Sequence, residues 1–253
     1  MVHQLLLVST IPHSSYVQTI STLKALTGQL APQEISLYTM LTKPHHVFKP
    51  KFEPGKVNQI EQYYMKCVTT WEPSKKATKM DIAEPVFPTD EIVVDKLFTN
   101  GYKNVWTLQI ADIPIAGKNQ VVSARTIFES TLVHHHTSVD GKDSMLQFLD
   151  DLGYDVINQY WVNGVQFFYG DVVIEILKLF IRDDEKEGIK LKPLDSSNSF
   201  QIRCYRNIPK STDIEMISQG TKELLKLQEH LKNLFQLEVP DRMCMDSRVQ
   251  NPV

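Results

Sequence analysis

Val156-Ile157-Asn158-Gln159-Tyr160-Trp161-Val162-Asn163-Gly164-Val165-Gln166-Phe167-Phe168-Tyr169-Gly170-Asp171-Val172, running on to Ile181, carries the clearest local signal in the chain. Valine, isoleucine and aromatic residues fill it, and these types suit the pleated, half-buried surface of a strand. Two turn signals interrupt it. Asn163-Gly164 tolerates positive φ at both central positions of a type I′ turn, whose twist matches the flanking strands. Gly170-Asp171 marks the next turn. The pattern predicts a three-stranded antiparallel meander: Val156–Val162, Val165–Tyr169 and Val172–Ile181.

Strands dominate on either side. Upstream, His3–Thr10, Ile35–Leu41, Ile60–Trp71, Val105–Ile110 and Val121–Val133 read as extended; downstream, Phe200–Ile208 does. In Val121–Val133, Val122, Ala124, Thr126, Phe128 and Leu132 share one face, while Arg125 and Glu129 share the other. Three helices punctuate the strands. Ser14 or Ser15 is placed to cap the first, whose stripe is Val17, Ile20, Leu23 and Leu26 and whose stop is Gly28. The second is Ser144–Leu152, with Asp143 as cap, Met145, Leu149 and Leu152 as stripe, and Gly153 as stop. The third is long and amphipathic, about six turns. Thr212 and Glu215 form a capping box before its stripe of Ile214, Ile217, Leu224, Leu227, Leu231 and Leu234. Many antiparallel strands with few helices give an α+β fold with the strands stacked or closed. Closure into a barrel would remove exposed edges, leaving the long helix over a rim or flank.

The 253 residues make one β-barrel domain, 1–253. Two proline-bearing stretches near 43–59 and 72–91 read as flexible loops, the second with the basic cluster Lys75, Lys76 and Lys79. A polar tail, 238–253, ends the chain. With 42% hydrophobic and 23% charged residues, disordered, collagen-like and coiled-coil classes are excluded. A net charge of −3 gives no field to draw in nucleic acid or anionic lipid, and neither is expected as a partner. The longest apolar stretch, Val172–Ile181, contains Glu175 and Lys178 and is too short to span a bilayer, so a soluble intracellular protein is expected. Cys67, Cys204 and Cys244 are odd in number and widely spaced. They point to a reducing compartment, with Cys67 and Cys204 as buried, inert thiols.

No metal site, cofactor or catalytic residue is expected. His134-His135-His136 offers only His134 and His136 on one strand face, with no companion ligands at suitable spacing, and His45-His46 is no stronger. G-x-S-x-G, G-x-G-x-x-G, P-loop and H-E-x-x-H motifs are absent from the sequence. Charged residues inside apolar strands, namely Arg125, Glu129, Glu175, Lys178 and Arg203, could line a tunnel that grips a polyanion, with carboxylates on a divalent metal. Alternatively they sit on a solvated outer face or pair across strands. Glu175 and Lys178 differ by an odd number, so they cannot both face a lumen. Trp161, Phe167, Phe168 and Tyr169 are expected in the meander's core, any exposed subset serving as partner anchors.

Three segments resemble the Mediator subunit 18 family, head-module components of the RNA polymerase II coactivator. The first is Met1-Val2-His3-Gln4-Leu5 with Ile20-Ser21-Thr22-Leu23. The second is Trp106-Thr107-Leu108-Gln109-Ile110-Ala111-Asp112-Ile113-Pro114, running on to Ala116-Gly117 and Val122-Ser123. The third is Val239-Pro240-Asp241-Arg242 with Met245-Asp246-Ser247-Arg248-Val249. The meander and the Ile208–Leu234 stretch are similar to the fungal branch. The resemblance covers nearly the whole chain apart from the two Pro-rich loops. It implies an antiparallel β-barrel related to the triphosphate-tunnel enzymes, a non-enzymatic role, and a nuclear location. It also implies pairing with Mediator subunit 20, capture of a C-terminal helix of Mediator subunit 8, and indirect or weak contact with RNA polymerase II and the initiation machinery. Tunnel enzymes carry an alternating Glu-x-Glu-x-Lys on an early strand. Here the early strands offer Glu34-Ile35-Ser36-Leu37-Tyr38 and Glu61-Gln62-Tyr63-Tyr64-Met65, which lack the second Glu and the Lys. A metal-dependent triphosphate phosphohydrolase is therefore the alternative rather than the first reading. Partner contacts are expected at Trp161, Phe167 and Tyr169 and in the motif-bearing tail at Asp241, Arg242, Met245, Asp246 and Arg248.

Overall fold

The computed structural model describes residues 1–47, 61–71, 104–117, 120–134, 144–183 and 190–249. Nine strands form one antiparallel sheet among them: β1 (Val2–Ile11), β2 (Gln33–Pro44), β3 (Met65–Thr70), β4 (Asn104–Ala111), β5 (Ser123–His134), β6 (Tyr154–Tyr169), β7 (Val172–Asp183), β8 (Lys190–Pro193) and β9 (Phe200–Ile208). The order is β6-β2-β3-β4-β5-β1-β9-β7-β8, and β6 also pairs with β7. That last pairing closes an eight-stranded barrel. β8 extends β7 beyond the ring, pairing with residues 180–183.

The meander is corrected at its first turn. β6 runs straight through Asn163-Gly164 for 16 residues. Gln33–Pro44 pairs along one side of it and Val172–Phe180 along the other, and both ladders cross the Asn-Gly pair without a break. A turn there would cost two sets of ladder hydrogen bonds, so tertiary pairing overrides the local preference. Gly164 is needed for a different reason: an added Cβ would overlap the Ile176 carbonyl oxygen and lie 2.9 Å from Leu177 Cα. A glycine inside a strand often marks such a close backbone approach. The second turn stands, with Gly170 at φ +59° joining β6 to β7.

Helices cover the outside of the barrel. α1 (Tyr16–Thr27) buries Tyr16, Ile20 and Leu23, and α3 (Ile214–Leu231) buries Leu224, Leu227 and Leu231. Together they pack on Leu5, Leu7, Phe167, Ile174, Ile176, Ile202 and Cys204. α2 (Met145–Asp151) packs on a separate cluster of Tyr38, Met40, Cys67, Trp106, Trp161 and Phe180. Gly220 lets α3 lie close to the sheet, since a Cβ there would meet Leu5 Cδ1 and Arg206 Cδ at 3.0 Å. Buried Arg206 then clamps the helix, donating to Glu223 of α3 and to Asp171 at 2.8 Å.

Helix limits differ from the sequence reading in detail. A 3-10 turn at His13–Ser15 precedes α1, and Ser15 makes no side-chain cap bond. Val17 is exposed. Gly28, at φ +71°, ends α1 as expected. Ser144 caps α2 by accepting from Gln147 N at 3.1 Å, and Leu152 is exposed. Asp213, not Thr212, caps α3 by accepting from Met216 N at 3.0 Å. α3 is five turns long, and Ile214 is exposed. The 72–91 loop, most of the 43–59 loop, the Lys75–Lys79 cluster, His135, His136 and Asp143 lie outside the described residues.

Candidate functional site

The charged strand residues and the tail motif fall in two regions, the inside of the barrel and a strap over it, while Lys178, Trp161, Phe167 and Tyr169 lie on the barrel's outer face.

Strand register sorts the barrel's two faces. The set sharing a face with Leu5, Cys67 and Trp161 packs under the helices. The opposite set therefore points inward. Cross-strand partners in it include Lys66 with Gln109, Gln109 with Glu129, Gln4 with Arg125 and Asn207, and Arg203 with Glu175. Arg125, Glu129, Glu175 and Arg203 thus line the lumen. Lys178 faces outward, as its odd spacing from Glu175 requires, and is buried between His13 Nδ1 (3.1 Å), Asn198 and the Phe200 ring. Burial pushes its ammonium down to about 8. Lys66 was not singled out from sequence. The signal was there: it alternates with buried Met65 and Cys67, so it must sit on the other face.

The lumen has two kinds of wall. Ile35, Val162 and Leu177, with Leu37, Tyr160 and Leu179, form an apolar wall on β2, β6 and β7. Facing it, Arg203 Nη1 lies 3.4 Å from Glu175 Oε2, and Tyr205 donates to Glu175 Oε1 at 2.8 Å. Gln109 donates to Glu129 at 2.7 Å. Arg125 donates to the Gln4 amide oxygen at 3.3 Å, while its buried Nε has no partner. Water reaches Lys66, yet barrel wall surrounds it. That enclosure, with Arg203 and Arg125 nearby, pushes its ammonium down to about 8. Burial likewise brings the Arg125 guanidinium down to about 10, with Arg203 adding repulsion. The inward residues of β2 are Gln33, Ile35, Leu37, Thr39 and Leu41, so this strand contributes no lumen carboxylate. Among the described residues, no three His, Cys, Asp or Glu side chains converge on a point that could hold a metal ion.

The tail is a strap laid over the barrel. Glu238 exchanges two backbone bonds with Val8 (2.8 and 2.9 Å). Arg242 Nε donates to Pro114 O at 2.7 Å, and Ser247 Oγ donates to Ala111 O. Tyr64 N donates to Ser247 O at 2.8 Å and Val249 N to Gln62 O at 2.7 Å. Arg248 grips Asp246 through Nη2 (2.6 Å) and Glu61 through Nη1 (3.0 Å). Its hydrogen bonds hold the Asp246 carboxyl below the usual carboxylate range, and the Tyr63 hydroxyl followed by Arg248 does the same for Glu61. The second and third resemblance segments therefore meet in space: the tail motif is hydrogen-bonded to the backbone at Ala111 and Pro114.

The expected partner residues fall into three groups. Trp161 and Phe167 are buried in separate cores with no exposed surface. Arg242, Met245, Asp246 and Arg248 are partly buried; Arg242 and Met245 bond to Pro114 and Ser123 of the barrel, while Arg248 bonds to Asp246 within the strap and to Glu61 outside it. Asp241 is exposed beside exposed Met243, and Tyr169 is half-buried with its hydroxyl 3.2 Å from His230 Nδ1.

A sequence profile of the family described as "Med18 protein" matches residues 3–248. The chain belongs to the Med18 family. Curated relatives named "Mediator of RNA polymerase II transcription subunit 18" include one from Debaryomyces hansenii, 51% identical over 98% of this chain and 99% of the relative. Those from Scheffersomyces stipitis and Candida albicans are 48% and 47% identical, each covering 99% of this chain and at least 99% of the relative. In fold, the chain is similar to one in the Schizosaccharomyces pombe Mediator head module, with a TM-score of 0.65 at 12% identity, covering 94% of this chain and 98% of that one. The Med18 barrel is thus the architecture that the sequence resemblance implied.

Proposed function

We propose that this protein is a non-enzymatic scaffold of the Mediator head module, acting in the nucleus in RNA polymerase II transcription. The observation that carries this reading is the family match across residues 3–248, with full-length relatives that bear the subunit 18 name. In this reading the barrel pairs with Mediator subunit 20 and holds a C-terminal helix of Mediator subunit 8. Contact with polymerase and the initiation machinery is indirect or weak. A rigid barrel suits the task, because preorganised surfaces lose little entropy on docking. The lumen argues in the same direction: a metal-dependent hydrolase needs converging carboxylates, whereas Glu175 is ion-paired with Arg203 and accepts from Tyr205, and Glu129 accepts from Gln109.

Co-expression of this chain with Mediator subunits 20 and 8 tests the reading. A stable ternary species on size exclusion, with no phosphate released from triphosphates in magnesium or manganese, is expected. A chain that stays monomeric beside both partners overturns it.

A further inference from the structure

We propose that the open edge of β6 at residues 155–160 takes up an extended, basic peptide segment of a partner protein as an added strand. This goes beyond the scaffold reading, whose partners are a barrel and a helix, and does not depend on it.

Pairing is the first observation. β6 pairs with β2 over residues 154–166, but with β7 only over residues 161–169. Past Phe180, β7 is paired with β8 on its far side. Among the described residues, β6 therefore has no strand beside it on the β7 side at 155–160. The cause is local. Leu41 pairs with Asn158 and Thr42 with Val156, which leaves Ile157 as an extra residue in β6. Such a bulge bends its strand and can terminate pairing. The backbone shows the result: Gln159 N donates to the Asn158 side chain at 2.7 Å. Antiparallel ladders alternate, so an N–H not given to β2 points to the opposite, open side.

An unpaired edge is a template for another strand, and its side chains narrow the partner. Val156 and Ile157 are exposed, which suits apolar residues on the incoming strand. Asp150, Asp151 and Asp155 are exposed where the edge begins. His45 Nε2 lies 3.0 Å from Asp155 and 3.8 Å from Asp150, and Lys43 is the cross-strand partner of Asp155. The carboxylates outnumber these two bases, so lysine or arginine on the incoming segment is favoured. Residues 155–160 contain no basic side chain, so a second copy of this edge brings no complement. A further edge, β5 over residues 128–133, is also unpaired on its β1 side among the described residues. Its carboxylate, Glu129, already accepts from Gln109.

Hydrogen exchange of the full chain, read by mass spectrometry, tests this with a short capped peptide of alternating valine and lysine. Saturable binding is expected, with amides within 156–160 protected severalfold and those within 128–133 unchanged. The same peptide N-methylated at alternate residues keeps its charge but loses strand donors, and it should give no protection. Glutamate in place of lysine should weaken binding about tenfold. Asp150→Lys combined with Asp155→Lys should reverse that preference. Absence of protection at 156–160, equal protection by the N-methylated peptide, or equal binding of the lysine and glutamate peptides overturns the proposal. Dimerisation that protects the same amides without any peptide would assign the edge to a second copy and overturn it as well.

Discussion

At Gly164 a single methyl group decides whether the barrel can close as it does. The Cβ of any other residue would overlap the Ile176 carbonyl and crowd Leu177 Cα, and both are backbone atoms that cannot swing aside. Gly164→Ala should therefore force β6 and β7 apart. Overpacking of a tight site costs about 1–3 kcal/mol, and a backbone clash belongs at the upper end. Urea unfolding is the check: a loss under about 0.5 kcal/mol would mean that the strands part freely. This residue also shows where sequence reading stops. Asn-Gly is a strong turn signal in isolation, and nothing within ten residues says otherwise. What overrides it is pairing with Gln33–Pro44, far away in the chain. By contrast, period-2 alternation was legible: it placed Arg125 with Glu129 on one face and Glu175 opposite Lys178, as the register requires.

Elements were legible to within a few residues, but their ends were settled by competing caps. Thr212 and Asp213 are adjacent candidates, and the carboxylate wins because it accepts a stronger bond and complements the positive helix start. Asp213→Ala should cost about 1 kcal/mol, while Thr212→Ala should cost a few tenths at most. Thermal melts of the two variants decide between the caps, and equal losses would restore the capping box. The strap at 238–249 was legible only as a polar tail, since its bonds go to distant backbone at Gln62, Ala111 and Pro114. Its acid sensitivity follows from charge. Asp246 has its carboxyl pKa depressed by Arg248, so the stabilisation is fully present above the ordinary carboxylate pKa of about 4 and is lost as pH falls through the folded value. Arg248→Leu should therefore lower the melting temperature near neutrality, and the gap from wild type should close as pH drops below 4. A gap that is constant from pH 7 to 3 would show that the charge pairing contributes nothing.

On the scale of the whole molecule, closure joins distant parts of the chain into one cooperative unit. β1 pairs with β5 on one side and with β9 on the other, so the first strand completes the ring only after the last has formed. No local pattern in the sequence could supply that pairing; the family resemblance implied a barrel but not which strands meet. A ring of this kind can fray only where strands run past their neighbours at its rims. The three thiols report on this directly. Cys67 on β3 lies under the α2 cluster, and Cys204 on β9 lies under the α1–α3 cluster; both are buried, and burial pushes the Cys67 thiol up to about 12. Cys244 in the strap is exposed. A thiol reagent at neutral pH should modify Cys244 at once and the other two only through opening of the barrel, because the buried thiols have neither access nor thiolate character. If the barrel opens as one unit, Cys67 and Cys204 should label at matched rates across a denaturant series, both set by global unfolding. Should Cys67 label first in mild denaturant, the α2 flank opens on its own and the closed sheet is two foldons rather than one.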